Sequence, residues 1–334
     1  MGVGFPPRLT RRGFTRLGAA LPAALVVRNA GAQGALWTMA TEYPANTVSG
    51  DGIAFFAQRL AEESGGHLTV LPSYDAAFGL KGADIVGAIR DGRLAAGCSF
   101  AGALGPVDPL FLLSSLPFVA TSEAKARDLL GKAVGLYARR FKREGQRLLY
   151  AAPWPPSGLW AKTAIRLPSD LVALRLRVYD ATGVDVFGAA KADAVNLSFA
   201  DAGPRIASGA IQAVLSSGDG GAGRKLWEHL PCFTEIGYAV PLSFATLAAP
   251  LYDRLPIGLQ QAVDRAALAS QAHAWESLTG RLARNYAQMR ANGVAITPAD
   301  QVTPELAGIL AKGASGAIEK WKRDAGPEPS KLLG

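Results

Sequence analysis

Reactive side chains are scarce in this chain: three histidines, two cysteines and three methionines among 334 residues. Cys98 and Cys232 lie in no CxxC pair and beside no histidine at ligand spacing, so no metal site or cofactor is expected. Two buried free thiols are expected of them rather than a disulfide. No apolar run reaches the roughly 18–20 residues that a membrane-crossing helix needs. Acidic residues are missing from positions 1–32, which hold five arginines; without that segment the formal charge of +8 falls to +3. The basic character therefore belongs to the leading segment. A nucleic-acid partner, which would require a basic face on the folded part, is not expected.

That leading segment reads as a targeting signal. Thr10-Arg11-Arg12-Gly13-Phe14-Thr15-Arg16 resembles a twin-arginine export motif, and it precedes an apolar run, Leu17 to Val27, and a small-residue cleavage pattern, Ala30-Gly31-Ala32. Residues 1–32 are expected to be a signal peptide, leaving a mature protein from about Gln33. The run holds a proline and is too short to span a bilayer.

With 49% hydrophobic residues, the remainder can bury two ordinary cores, so two α/β lobes are expected. Strand Leu36 to Thr41, a helix with apolar Ile53, Phe56, Ala57 and Leu60 capped by Ser49, strand His67 to Leu71, helix Ala83 to Arg90 and strand Leu94 to Phe100 form a βαβαβ run, the pattern of a mostly parallel sheet. Such sheets bind ligands beyond their strand C-termini, which places the loops after Thr41 and Cys98 on the binding side. A helix from Ser122 to Glu144 and strand Gln146 to Ala152 lead to Pro153-Trp154-Pro155-Pro156, a stiff turn that reads as a lobe boundary. A second βα series follows, strand Tyr238 to Leu247 crosses back, and Leu255 to Asn292 is helical almost throughout, long enough to brace both lobes.

Three motifs carry chemistry. Gly218-Asp219-Gly220-Gly221-Ala222-Gly223 matches GxGxxG after a strand, yet the acidic residue due about 20 positions later is missing, and Arg224-Lys225 replaces the Lys-Ser/Thr of a phosphate loop. A tight turn opening a helix Arg224 to Leu230 is expected, whose backbone N–H groups from Ser217 to Gly220, beside Asp219, could cradle a carboxylate. Gly97-Cys98-Ser99-Phe100-Ala101 is one residue from a nucleophile elbow, but His67, His229 and His273 are poorly placed to serve it. An exported serine hydrolase is thus the enzyme alternative, and a ligand contact at Ser99 the plainer one. Finally, Leu174 to Asp180, LRLRVYD, alternates as a strand with Arg175 and Arg177 on one face. Either both guanidiniums sit in water at an edge, or one is a fixed fork for a carboxylate. Trp154, Trp160 and Phe199 near strand ends could be core or a flat apolar wall.

Taken together, these stretches resemble the solute-binding proteins of TRAP transporters, the tripartite ATP-independent periplasmic systems of the dicarboxylate-receptor type, over essentially all of the mature chain. Ala173 to Val178 looks like the family's carboxylate-binding segment and places its arginine at Arg177, not Arg175. Asn196-Leu197-Ser198-Phe199-Ala200-Asp201, Ala40-Thr41-Glu42-Tyr43-Pro44, Leu116-Pro117-Phe118 and Leu255-Pro256 also fit. The resemblance implies a two-lobed, type II-like periplasmic binding protein fold with a hinge. The expected lobes are 33–153 plus 241–282 and 154–240 plus 283–330. It further implies a non-enzymatic, monomeric periplasmic receptor that passes an organic acid to a membrane permease; a ligand-sensing subunit of a membrane receptor is the other non-enzymatic alternative. Arg177 would clamp the carboxylate, Phe199, Trp160 and Trp154 would wall the body, and Tyr43, Asn46, Ser99, Ser217 and Asp219 would complete the pocket. Trp160 stands where many members carry a second arginine. A monocarboxylate with an apolar or aromatic body, such as a keto or hydroxy acid, is therefore expected rather than a plain C4 dicarboxylate.

Overall fold

The computed structural model describes residues 1–2 and 34–333; the export motif, its apolar run and the cleavage pattern lie outside them. The described chain begins β1 (Ala35–Ala40), α1 (Val48–Glu63), β2 (Leu68–Ser73), α2 (Ala83–Arg90) and β3 (Ala96–Phe100). Next, α3 (Glu123–Arg143) leads into β4 (Gln146–Pro153), and β5 (Ser157–Ala161) opens a second series. That series is β6 (Arg175–Val178), α4 (Ala181–Ala189), β7 (Asp193–Asn196), α5 (Phe199–Ala207), β8 (Ala213–Ser217), α6 (Gly218–Gly223) and β9 (Cys232–Thr234). β10 (Leu242–Ala248), α7 (Ala249–Asp253), α8 (Ile257–Glu276) and α9 (Leu278–Ala291) follow, then β11 (Ala295–Thr297), α10 (Pro304–Ala325) and α11 (Pro327–Ser330).

Two sheets result, ordered β2-β1-β3-β10-β4 and β11-β9-β5-β8-β6-β7. Each mixes directions. β1 runs parallel to β2 and β3, whereas β10 is antiparallel to β3 and β4. In the second sheet β6 is parallel to β7 and β8, and β5 is antiparallel to β8 and β9. The antiparallel members are the strands next to the two crossings. There Ser157 N donates to Ala239 O (2.8 Å), Tyr238 N to Ser157 O (3.0 Å) and Trp154 N to Pro241 O (2.8 Å), so the crossings form a paired hinge. The expected single strand from Tyr238 to Leu247 thus divides into hinge and β10, because its first residues pair with the other crossing.

Local chemistry corrects three further expectations. Thr47, not Ser49, caps α1; Ser49 Oγ points inward and donates to Ser243 Oγ at 3.0 Å. The long helix breaks at Ser277, whose Oγ bonds back to Ala274 O (3.2 Å), a side-chain competition that bends helices. The break lets α8 pack on α1 and β4 while α9 packs on α6. The third correction concerns the glycine run: it is itself the helix α6, and 226–228 form only one short turn. A Cβ at Gly221 would overlap the Trp160 indole, and one at Gly223 would meet Thr47. The glycines therefore let a helix nest against a tryptophan.

Cys98 and Cys232 are both free, but only Cys98 is fully buried, where burial pushes its thiol up to about 12. A thiol-selective reagent should label one cysteine, Cys232, in the native protein and both after denaturation; rapid native labelling of Cys98 would contradict the packing of β3. Gly221→Ala should destabilise by about 1–3 kcal/mol through overpacking in urea unfolding. Gly131→Ala, in the open middle of α3, should instead stabilise by roughly 0.5–1 kcal/mol.

Candidate functional site

The cleft is built from strand C-termini, where parallel sheets leave room for ligands. β1 ends in Thr41-Glu42-Tyr43, β3 in Phe100, β6 in Tyr179-Asp180, β7 in Leu197-Ser198-Phe199 and β8 in Ser216-Ser217. The hinge adds Trp154, Ser157 and Pro241. Two adjoining cavities share Tyr43, Phe100, Arg177 and Tyr179. The inner one, of about 20 Å³, is completed by Trp154, Ser157, Phe199, Ser216, Ser217, Gly220 and Pro241. The outer one, of about 320 Å³, reaches Glu42, Gly82, Asn196 and Asp201.

Five aromatic rings form the inner wall. Tyr43 lies 4.8 Å from Trp154 and 6.2 Å from Phe199, and Phe100 lies 5.1 Å from Tyr179 and 6.1 Å from Trp154, all between ring centroids. Trp154 is fixed by its Nε1 donating to Ser243 Oγ at 2.8 Å.

Arg177 supplies the charge. It is 2% exposed, whereas Arg175, two residues earlier on the same face, has 61% of its side chain in solvent beside Asp193 at 3.6 Å. The difference is position along β6: two residues move a side chain about 6.6 Å toward the C-terminal rim, under α5. Arg177 Nε donates to Leu197 O (2.9 Å) and Nη1 to Leu215 O (3.3 Å), and the guanidinium carbon stands 4.9 Å over the Phe199 ring. Burial pulls this guanidinium below its ordinary value, with Tyr43 and Glu42 opposing that shift. Among the described residues Nη2 donates no hydrogen bond, so one arm of the fork is left for an acceptor in the cavity.

Glu42 is a site residue absent from the sequence expectation. It is 3% exposed and accepts from Gly82 N (2.9 Å) and Phe199 N (3.5 Å), while its backbone oxygen accepts from Arg224 Nη2 (2.6 Å). Burial raises its carboxyl above the ordinary value against the pull of Arg177, the two backbone N–H groups and Arg224. Its position directly after a parallel strand was the available signal. Phe100 and Tyr179 were likewise readable as strand-end aromatics.

Of the sequence-chosen residues, the structure gathers Arg177, Phe199, Trp154, Tyr43 and Ser217 around the cavities and places four elsewhere. Trp160 is fully buried behind α6, its Nε1 donating to Ser217 O at 3.2 Å, because the glycine helix covers it. Ser99 Oγ donates to Gly82 O at 3.4 Å, and of the three histidines His273 contacts Asp51, not Ser99. Asn46 is exposed, and its backbone oxygen accepts from Arg281 Nη1. Asp219 faces away from the cleft: Oδ1 accepts from Arg281 Nη1 (3.0 Å) and Asn285 Nδ2 (3.0 Å), and Oδ2 from Val48 N (2.9 Å) at the start of α1. Arg281 Nη2 also holds Asp51 at 2.7 Å. The N–H groups expected to cradle a ligand are in part spent locally, since Ser217 Oγ takes Gly220 N at 3.1 Å.

This network joins α1 of the first sheet to α6 of the second through α9. A third link is Lys81 Nζ to Asp201 at 2.7 Å across the outer cavity, and a fourth is Ser115 Oγ to Asp180 Oδ2 at 2.7 Å. Among the described residues no cluster of His, Cys, Asp or Glu could hold a metal, and no helix is long and apolar enough to cross a membrane. Asp219→Ala removes the buried one of the two carboxylates that hold Arg281, and should cost about 3–5 kcal/mol of stability in urea unfolding. Arg175→Ala, removing an exposed pair, should change stability by less than about 1 kcal/mol.

The family model for bacterial extracellular solute-binding proteins, family 7, matches residues 39–306. No curated protein matches the chain. Among solved structures, DctP7, an extracytoplasmic solute receptor of Bordetella pertussis binding pyroglutamic acid, superposes with a TM-score of 0.84 at 26% identity, covering 89% of this chain and 98% of its own. A TRAP solute-binding protein from a marine metagenome, in complex with co-purified pyroglutamate, gives 0.84 at 22% identity, over 90% of this chain and 98% of its own. A TRAP periplasmic solute-binding protein of a Sulfitobacter species with bound β-D-galacturonate gives 0.80 at 17% identity, over 89% and 98%. These are solute receptors, not enzymes, and they share the two-lobed α/β architecture. With the family match running from β1 into α10, the chain belongs to the bacterial extracellular solute-binding proteins of family 7, the receptors of TRAP transporters.

Proposed function

We propose that the protein captures a compact organic monocarboxylate in the periplasm and presents it to a TRAP membrane permease. The observation that carries this reading is Arg177, a buried guanidinium with one unspent arm at the meeting point of two cavities. A cation held out of water in this way is stabilised by an anion that brings its own oxygens. Tyr43, Phe100 and Tyr179, shared by both cavities, give the outer cavity an apolar flank for a small ligand body, while Trp154 and Phe199 close the inner one. A ring acid of the pyroglutamate kind, as bound by the Bordetella and metagenome receptors, is the first candidate. The outer cavity lies at the lower edge of the roughly 300–1,000 Å³ usual for small-molecule sites, which favours such an acid over a larger sugar acid.

The two sheets act as the lobes of a clamp, with residues 33–153 plus 241–282 and 154–240 plus 283–330 as its halves and the paired crossings as hinge. Ligand binding favours closure through contacts that exist only when Tyr43 and Glu42 meet Arg177 and Phe199. Export through the twin-arginine signal and action as a monomer complete the proposal.

A thermal-shift screen of carboxylic acids on the mature protein tests it. A ligand at 100 times its Kd should stabilise by about 2.7 kcal/mol, and a screen in which no organic acid shifts the transition would sink the reading. In calorimetry with the best acid, Arg177→Ala should lose about 2–5 kcal/mol of affinity, whereas Arg175→Ala should bind as the native protein does.

A further inference from the structure

We infer that Glu42 determines the specificity of this site by accepting a hydrogen bond from an N–H of the ligand whose carboxylate lies on Arg177. The inference rests on the proposed function and adds the chemistry of the ligand's other end.

Glu42 and Arg177 line the same outer cavity from opposite sheets, one after β1 and the other on β6. The Glu42 carboxylate is buried, yet among the described residues no Lys, Arg or His nitrogen lies within ion-pair distance of it. Its two recorded partners are backbone N–H groups, Gly82 on Oε2 and Phe199 on Oε1. A carboxylate offers about four acceptor positions, so about half of its capacity is unspent in a residue that lines the cavity. Of the other nearby cations, Arg224 gives Nη2 to the Glu42 backbone oxygen and keeps its guanidinium 5.4 Å over Phe199, and Lys81, which lines the same cavity, is held by Asp201 at 2.7 Å. The donor missing from this carboxylate must therefore come from what enters the cavity.

The arrangement selects by charge as well. A ligand with a second carboxylate would set it against Glu42 in a low-dielectric space, where like charges repel strongly. A ligand with one carboxylate and an N–H satisfies both residues. Glu42 also accepts from Phe199 N at the start of α5, so a ligand held by Glu42 sits at a point where the two lobes already meet.

The experiment compares two ring acids that differ in one atom: 5-oxoproline, the lactam, and 5-oxotetrahydrofuran-2-carboxylate, its lactone with oxygen in place of N–H. Calorimetry on the native protein should show the lactam bound about 10- to 100-fold more tightly, the range of a hydrogen bond to a charged group. In Glu42→Leu that preference should fall to within about two-fold, and in Glu42→Gln, which keeps the shape, it should fall at least several-fold. Arg177→Ala should weaken both compounds and leave their ratio standing. Equal native affinities, or an unchanged ratio in whichever Glu42 variant folds, would overturn the role of Glu42 while leaving the acid receptor intact. Native binding of neither ring acid would remove the ring acid as the ligand and overturn this inference, while the acid receptor stands or falls with the wider screen of carboxylic acids.

Discussion

A single guanidinium held out of water governs this structure. Arg177 is charged in the folded protein, and burial works against that charge. The fold answers with carbonyl oxygens at the ends of two neighbouring strands, Leu197 and Leu215, and with the face of Phe199. Those strand ends exist where they do because β6 lies between β7 and β8, all three parallel. Dipoles and a ring stabilise a cation in part, but they carry no net negative charge. The unspent Nη2 arm is the part of the problem that the protein leaves to its ligand.

Glu42 mirrors this situation on the other sheet. It too is buried and held by backbone groups, and its charge is offset only at a distance. The two are of opposite sign, so each offsets part of the other's burial cost across the cavity, and perturbed charged pairs of this kind are common at functional sites. Stability is recovered away from the cleft, where Asp219, Arg281, Asn285 and the start of α1 satisfy one another's hydrogen bonds. The acid that the GxGxxG motif seemed to offer a ligand is thus a structural clasp, and the glycines around it are contact surfaces for Trp160 and Thr47.

Much of the architecture is legible in the sequence because it depends on local periodicity. The βαβαβ start, α3, the proline-rich crossing and the return strand all follow from alternation, helical spacing and breakers. The continuous helix from Leu255 to Asn292 failed at Ser277 because one side chain bonded back to its own turn, an event no apolar pattern records. The sequence pointed to Ser49 as the cap of α1; packing against Ser243 drew Ser49 inward and left the cap to Thr47.

The site divides along the same line. By itself the sequence placed Arg177 on a strand, Tyr43 in the loop after another and Phe199 at a helix start, since each position follows from chain-local signals. Tertiary structure alone decided that Arg177 is buried and Arg175 exposed, since two residues along β6 separate the rim beneath α5 from open solvent. It alone turned Trp160 away from the cleft and brought Glu42 to it, because both outcomes depend on which strand or helix covers a side chain. Pairwise chemistry between residues far apart in sequence is fixed by sheet order and lobe contact, and no local pattern encodes those.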